Sequence, residues 1–154
     1  MYFITYDTPK IGTVSFIHKV QIQSGQTVLI HGATGAIGSA LLQFVRLFDV
    51  TITATCSAKN MELVKTLGAD KVLDYTKEDF TEGQDTYDFI FDSVGKSTFG
   101  KCKSVLKEKG TYISSELGLY SQNLWYAALS SISRGKKVIF PVPYSKQKTI
   151  PYIM

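Results

Sequence analysis

Short apolar runs alternate with segments of helical periodicity along most of the chain. Runs rich in β-branched and aliphatic residues predict six strands, at 26–31, 50–56, 71–74, 87–94, 111–115 and 137–142. Apolar residues spaced three or four apart predict helices at 11–20, 36–48, 59–67, 97–106 and 120–132, and KEKG at 107–110 predicts a turn. Nearly continuous apolar strands are typical of a sheet that is covered on both faces.

The order of these elements is βαβαβ, given twice. Strands that alternate with helices of roughly 10–15 residues predict a parallel sheet with helices on both faces. The sequence therefore predicts a doubly wound α/β fold with six parallel strands. We expect one domain over residues 21–143, a lead-in segment with a helix over 1–20, and a short tail over 144–154.

Composition narrows the class of protein. The chain has 154 residues with 44% apolar and 19% charged residues, as in ordinary globular proteins. Its apolar runs are shorter than the roughly 20 residues that cross a bilayer, and its start lacks the pattern of a signal peptide, so we expect a cytoplasmic protein without a membrane partner. The net charge is +4, but the lysines are scattered among acidic and apolar residues, which argues against nucleic acid. Cys56 and Cys102 are not at zinc-ligand spacing from each other or from a histidine, so we expect no metal site.

The sharpest local pattern is a glycine turn, HGATGAIG, directly after the first strand and at the start of the first helix. Gly32 allows a tight turn, Gly35 lets a pyrophosphate approach the backbone, and Gly38 lets the helix pack against the strand. The N–H groups of Gly35, Ala36 and Ile37 would then point at the phosphates. The turn thus predicts a dinucleotide site in a Rossmann fold.

The end of the second strand bears on which dinucleotide binds. NAD-binding units carry an acid there, which accepts a hydrogen bond from the ribose 2′-hydroxyl. This chain has no acid at that point; Ser57 and Asn60 can donate hydrogen bonds, and Lys59 supplies positive charge. The sequence therefore favours NADP(H). Ser57 could also cap the second helix while Lys59 faces solvent, and these roles do not exclude the first.

Four stretches together resemble a known family: QSGQTVLIHGATGAIG, LVKTLGADKVLDYTKEDF, YDFIFDSVGKSTF and KKVIFPVPYSK. They are similar to the nucleotide-binding domain of the zinc-independent medium-chain dehydrogenase/reductases, in the quinone oxidoreductase-like branch, and extend from about residue 20 to 146. The resemblance implies hydride transfer from NADPH to a small quinone, enone or carbonyl compound. It also implies a homodimer formed through the sixth strand, at residues 136–142.

The resemblance also implies contacts between individual residues and the cofactor. These are Thr34 in the glycine turn, Tyr75 with Ser57, Lys59 or Asn60 around the 2′-phosphate, Ser93 and Val94 at the adenosine ribose, and Leu117, Gly118 and Phe140 on the nicotinamide side. The sequence identifies no catalytic residue.

One departure from the family and two alternatives limit this interpretation. Family members carry an N-terminal substrate domain that this sequence does not match, so we expect dinucleotide binding with little turnover from this chain. Tyr144 and Lys148 form a YxxxK pair, which is found in short-chain dehydrogenases, where a tyrosine acts as the acid. A non-catalytic dinucleotide-binding or dimerisation module is the other alternative.

Overall fold

The computed structural model of the chain describes residues 20–114 and 135–139. Its strands are β1 (Thr27–His31), β2 (Thr51–Cys56), β3 (Lys71–Asp74), β4 (Tyr87–Asp92), β5 (Leu106–Ser114) and β6 (Lys137–Ile139). Its helices are α1 (Ala36–Val45), α2 (Met61–Thr66) and α3 (Phe99–Cys102), with 3-10 turns at Ala58–Asn60, Phe80–Glu82 and Lys103–Val105.

The six strands form one sheet in the order β3-β2-β1-β4-β5-β6. Every neighbouring pair is parallel. The strand order reverses direction between β1 and β4, and this arrangement is the doubly wound fold that the sequence predicts. Because the strands are parallel, the carboxyl ends of β1, β2 and β4 meet at one edge of the sheet.

Both faces of the sheet carry an apolar core. Val28 and Ile30 of β1 pack on one face with α1, while Leu29 packs on the other, and all three are fully buried. Alternation of side chains along a strand explains this division. Because both faces are covered, the strand is apolar at every interior position, and burial of each such side chain contributes roughly 1.5–3 kcal/mol.

The segment before β5 differs from the sequence prediction. The predicted helix at 97–106 is much shorter, and the predicted turn at 107–110 lies inside β5 as an irregularity of the strand. Tyr87 faces Leu106 and Phe89 faces Thr111, so the extra residues of β5 bulge opposite β4. Lys109 takes a positive φ of 65° within this bulge. The KEKG residues thus form a turn-like bulge inside the span of β5, between the paired residues Leu106 and Thr111.

Other boundaries shift by a few residues. The first helix ends at Val45 instead of residue 48, and the second begins as a 3-10 turn. The predicted helices at 11–20 and 120–132 lie outside the described residues, except for residue 20, as does the tail at 144–154. Among the described residues, the helices are too short to cross a membrane.

Candidate functional site

The glycine turn between β1 and α1 is packed tightly against its surroundings. Gly32 has a φ of +83°, in the left-handed region that favours glycine, and a Cβ there would overlap the Val94 side chain. A Cβ on Gly38 would overlap the carbonyl oxygen of Gly32 and lie 2.8 Å from Ser93 Oγ. The protein's own packing therefore requires glycine at both positions.

Gly35 differs from these two glycines. Its φ is −69°, which any residue adopts, and a Cβ there would lie 3.6 Å from the carbonyl oxygen of Gly32, an ordinary contact. The residue is exposed. Glycine at position 35 thus leaves open space on the outer side of the turn, where a ligand would contact the protein backbone directly.

The amino end of α1 opens onto this space. Ala36 and Ile37 are its first residues, and N–H groups in a first helical turn lack partners within the helix. The first turn contains no acidic side chain, so the positive end of the helix dipole is not neutralised there. The N–H of Gly35, which the sequence predicts to be free, instead donates to the carbonyl oxygen of Gly32 at 3.2 Å, because the turn closes on itself. Ala36 and Ile37 remain as the donors for an anion.

Two hydroxyl groups hold the turn from neighbouring strands. Thr55 Oγ1, near the end of β2, accepts the Gly32 N–H at 3.1 Å and lies 2.7 Å from His31 Nδ1. Ser93 Oγ, just after β4, donates to the carbonyl oxygens of His31 and Gly32 at 2.7 and 3.1 Å. The turn is therefore positioned by the carboxyl ends of both strands that flank β1.

The turn forms one wall of a cleft of about 270 Å³. The cleft is lined by His31, Gly32, Thr34, Gly35, Tyr75, Ser93, Val94 and Lys96. Tyr75 and Val94 expose 53% and 38% of their surface, which leaves them available to a flat ring. A second recess of about 220 Å³ adjoins the cleft and shares His31, Tyr75 and Lys96 with it.

The structure thus brings together six of the residues that the sequence predicts to bind the cofactor: Gly32, Thr34, Gly35, Tyr75, Ser93 and Val94. Ser57, Lys59 and Asn60, which are predicted for the 2′-phosphate, follow β2 and do not line the 270 Å³ cleft. Three more, Leu117, Gly118 and Phe140, lie outside the described residues.

The residues that follow β2 form a small polar surface. Ser57 stands at the N-cap position of the 3-10 turn Ala58–Asn60 but makes no capping hydrogen bond, so the capping role considered for it is wrong. Its hydroxyl instead accepts from Asn60 Nδ2 at 3.2 Å. The Lys59 side chain is exposed. The donors and the positive charge that the sequence predicts are therefore present at this edge.

Asp74 ends β3 and faces Cys56 across the pairing of β3 with β2. The carboxylate is buried, and its Oδ1 accepts from the hydroxyl and the N–H of Thr76, at 2.7 and 3.0 Å. The Thr76 hydroxyl is the main reason why the pKa of Asp74 lies below its usual value. This acid therefore stabilises the loop after β3 and is not the ribose-binding acid of an NAD site, which would end β2.

The sequence analysis did not identify four polar residues at or beside the site: His31, Thr55, Asp92 and Lys96. Burial lowers the pKa of His31, although the nearby carboxylates of Asp92 and Asp79 act in the opposite direction. The His31 ring also packs at 5.1 Å from the Phe80 ring. The signal that could have found three of them is a polar residue at the last positions of an apolar parallel strand.

The part of the chain that the structure describes does not form a zinc site. Among the described residues, no three His, Cys, Asp or Glu side chains lie close enough together to hold a metal ion. Both cysteines are buried, and Cys102 Sγ lies 3.2 Å from Ser97 Oγ. Burial raises the pKa of the Cys102 thiol to about 12, so it stays protonated and is a poor ligand.

Comparisons with known proteins agree with this geometry. The family model described as zinc-binding dehydrogenase matches residues 67–149, just over half of the chain. The chain is 37% identical over 99 residues to the 2-methylene-furan-3-one reductase of Solanum lycopersicum, covering 63% of this chain and 25% of that enzyme. It is 33% identical over 98 residues to the NADPH-dependent alkenal/one oxidoreductase, chloroplastic, of Arabidopsis thaliana, covering 62% and 25%. The chain spans about a quarter of the length of these relatives.

Solved structures share the fold. The quinone oxidoreductase from Coxiella burnetii superposes with a TM-score of 0.73 at 22% identity, over 90% of this chain and 44% of that one. The Escherichia coli quinone oxidoreductase complexed with NADPH superposes with a TM-score of 0.67 at 23% identity, over 85% of this chain and 43% of that one.

Proposed function

The chain belongs to the zinc-binding dehydrogenase family, and we propose that it is the dinucleotide-binding domain of an NADPH-dependent oxidoreductase. One observation carries the proposal. The turn from Gly32 to Gly38 is packed so tightly that two of its glycines are structurally required, while the third opens onto a cleft at the point where the strand order reverses. Doubly wound proteins bind dinucleotides at this point.

The residues of the cleft suit the parts of NADP(H). The N–H groups of Ala36 and Ile37 would hold the pyrophosphate, with Thr34 beside them. Ser93 and Val94 would border the adenosine ribose, and Tyr75 would lie beside the 2′-phosphate. We assign the 2′-phosphate to the donors and charge of Ser57, Lys59 and Asn60. Leu117, Gly118 and Phe140 are proposed for the nicotinamide side.

The chemistry would come from the bound cofactor, which supplies a hydride to a quinone, an enone or a carbonyl compound. The chain's own residues would bind and orient it and exclude water from one side. We propose no zinc-dependent step, because the described cysteine and histidine side chains do not fit a zinc ion. Both relatives are named for reductase or oxidoreductase activity, and one of them is named as NADPH-dependent.

Assembly, location and turnover are further parts of the proposal. β6 stands at the edge of the sheet, so a second copy could pair with residues 136–142 and extend it. A cytoplasmic location stays a prediction, since one relative is named as chloroplastic and another, from Homo sapiens, as mitochondrial. We expect little turnover from the chain by itself, because the aligned region is only a quarter of each relative.

Two other functions stay less favoured. The short-chain dehydrogenase interpretation depends on Tyr144 and Lys148, which lie outside the described residues, and the family model that matches is a different one. A non-catalytic binding module would share the cleft. Such a module would support no hydride transfer even when the rest of an enzyme of this family is supplied, and this property distinguishes it from the domain that we propose.

Calorimetric titration of the chain with NADPH and, separately, with NADH tests the proposal. We expect both to bind, with NADPH bound more tightly. Equal affinity would contradict the assignment of the 2′-phosphate site, and no binding of either would contradict the proposed function. An absorbance assay at 340 nm with an enone or a quinone then measures turnover, which we expect to be close to background.

A further inference from the structure

One fully buried carboxylate lies behind the cleft and belongs to none of the contacts assigned above. Asp92 is the last residue of β4, and its side chain is completely inaccessible to solvent. Its Oδ1 accepts the N–H groups of Val94 and Gly95 at 3.1 and 2.8 Å. Its Oδ2 accepts the Ser97 N–H at 3.0 Å and the Tyr112 hydroxyl at 3.0 Å. A buried charge is tolerated only with such a full set of donors.

Three of these four donors come from one loop, residues 93–97, which begins as β4 ends. The loop includes Gly95, whose φ of +68° is in the left-handed region. Three of its side chains, Ser93, Val94 and Lys96, line the cleft. The Val94 side chain also occupies the space where a Cβ on Gly32 would lie, so the loop is packed against the glycine turn. The position of the loop therefore sets the distance between the two walls.

We infer that Asp92 is a positioning residue for the dinucleotide: its carboxylate holds the 93–97 loop in the shape that forms the adenosine side of the cleft. The inference rests on the proposed function. The fourth donor, the Tyr112 hydroxyl, holds the carboxylate itself from the neighbouring strand β5. Neither side chain lines the cleft, so both act through the loop.

The same strand offers a matched control at its other end. Asp88 is four residues earlier in β4, so its side chain projects to the same face of the sheet. It accepts the N–H and hydroxyl of Thr27 at 2.8 and 3.0 Å and the Lys107 ammonium at 2.8 Å. It stabilises the fold at the edge away from the cleft. An Asp88→Asn substitution therefore alters a partly buried, hydrogen-bonded carboxylate of the same strand at the end away from the loop.

The test compares Asp92→Asn and Asp88→Asn in the full chain. Titrations use 2′,5′-ADP, which carries only the adenosine half of the cofactor, and NADPH, at a temperature where circular dichroism shows each variant folded. An asparagine amide would face two of the donors, so we expect Asp92→Asn to weaken 2′,5′-ADP binding about tenfold. Asp88→Asn should bind it within about twofold of the unmodified chain. Equal loss in both variants, or no loss in Asp92→Asn, would overturn the inference.

Hydrogen exchange is measured at each amide separately, so it distinguishes loosening of the 93–97 loop from a general loss of stability. Tyr112→Phe removes one hydroxyl and keeps the ring, so it tests the network even where Asp92→Asn does not fold. We expect faster exchange of the Val94, Gly95 and Ser97 amides in Tyr112→Phe, with β1 amides unchanged. Unchanged exchange at these amides would contradict the role of Asp92. If the unmodified chain binds neither ligand, the proposed function fails, while the exchange data still decide the role of Asp92 in holding the loop.

Discussion

Charged side chains have different partners at the two edges of the sheet, where the strands begin (the amino edge) and where they end (the carboxyl edge). At the amino ends of the strands, acids pair with bases: Asp88 with Lys107 at 2.8 Å, and Asp85 with Lys71 at 2.6 Å. A third pair, Arg46 with Asp70, lies at the same edge at 3.6 Å. These charges neutralise one another within the protein.

At the carboxyl ends, the buried acids accept hydrogen bonds from neutral donors, although Asp74 Oδ2 is buried without a partner among the described residues. Asp92 accepts three main-chain N–H groups and a tyrosine hydroxyl, and Asp74 accepts a threonine hydroxyl and N–H. Lys59 and Lys96, near the same edge, form no ion pair within the described part of the chain. We infer from this difference that the amino edge stabilises the fold, and that the carboxyl edge keeps positive charge available for an anionic ligand. Substitutions at four kinds of site test whether the two edges differ in this way.

The largest effect should come from Gly38→Ala in the turn. The added Cβ would overlap the backbone of Gly32, which cannot move without breaking its contacts to β2 and β4, so we expect a loss of about 3 kcal/mol or more in the free energy of unfolding. Urea denaturation measures it. Gly35→Ala is the matched control, because its Cβ would meet only an ordinary contact; it should keep nearly full stability while weakening NADPH binding. A Gly38→Ala variant as stable as the original would contradict the packing described.

Asp88→Ala should have the next largest effect, and on stability alone. It leaves the Thr27 N–H and the Lys107 ammonium without their shared acceptor, and we expect a loss of about 2 kcal/mol in urea unfolding. NADPH affinity should stay within about twofold, since Asp88 is at the edge away from the cleft. A large loss of NADPH affinity in a variant that is still fully folded would show that the amino edge also affects the cleft.

The same residue gives a pH dependence. Burial raises the pKa of Asp88, but hydrogen bonds from Lys107 and Thr27 outweigh it and hold the pKa below its usual value. Its contribution is therefore present above the unfolded pKa of about 4 and is lost as the pH falls through the lower folded value. Asp88→Asn should show a flatter fall of unfolding free energy below about pH 4 than the unmodified chain. Identical slopes would contradict this sign.

Lys59→Ala and Lys96→Ala should have moderate effects, confined to binding. Each removes one exposed positive charge near the cleft, and we expect NADPH affinity to fall about tenfold where the charge contacts a phosphate. Titration with NADH in parallel separates the two: a residue that serves the 2′-phosphate affects NADPH only. Lys65→Ala, whose partner is Glu62 on α2, is the control and should change neither affinity. If neither variant differs from this control, the carboxyl edge does not bind an anion through its lysines.

The smallest effect should come from Lys71→Ala at the amino edge. Both side chains of the Lys71–Asp85 pair are about half exposed, and pairs of this kind contribute roughly 0.2–1 kcal/mol, less at high salt. Thermal unfolding at low and high salt measures the difference, which should disappear as the salt is raised. A loss that persists at 1 M salt would show that the pair acts through packing instead of charge.

The pattern of apolar residues was enough to locate β1 to β4, because the interior of a doubly covered sheet leaves no choice at these positions. The glycine turn was also identifiable from its spacing and context. The start of β5 was not, because the pairing of Leu106 with Tyr87, which lies before the KEKG bulge, depends on a distant strand. Likewise, the N–H of Gly35 is a free donor by position but is occupied once the turn closes.

The order of strands and helices, the glycine turn and the lack of an acid after β2 were predictable, because each depends on residues close together in the chain. Tertiary structure decided which distant residues meet. Thr55 and Ser93 reach the turn from two different strands, and Asp92 reaches Tyr112 across the sheet. Lys96 enters the cleft because the loop after β4 packs against Gly32. These contacts depend on strand register and chain crossing, which local spacing does not encode.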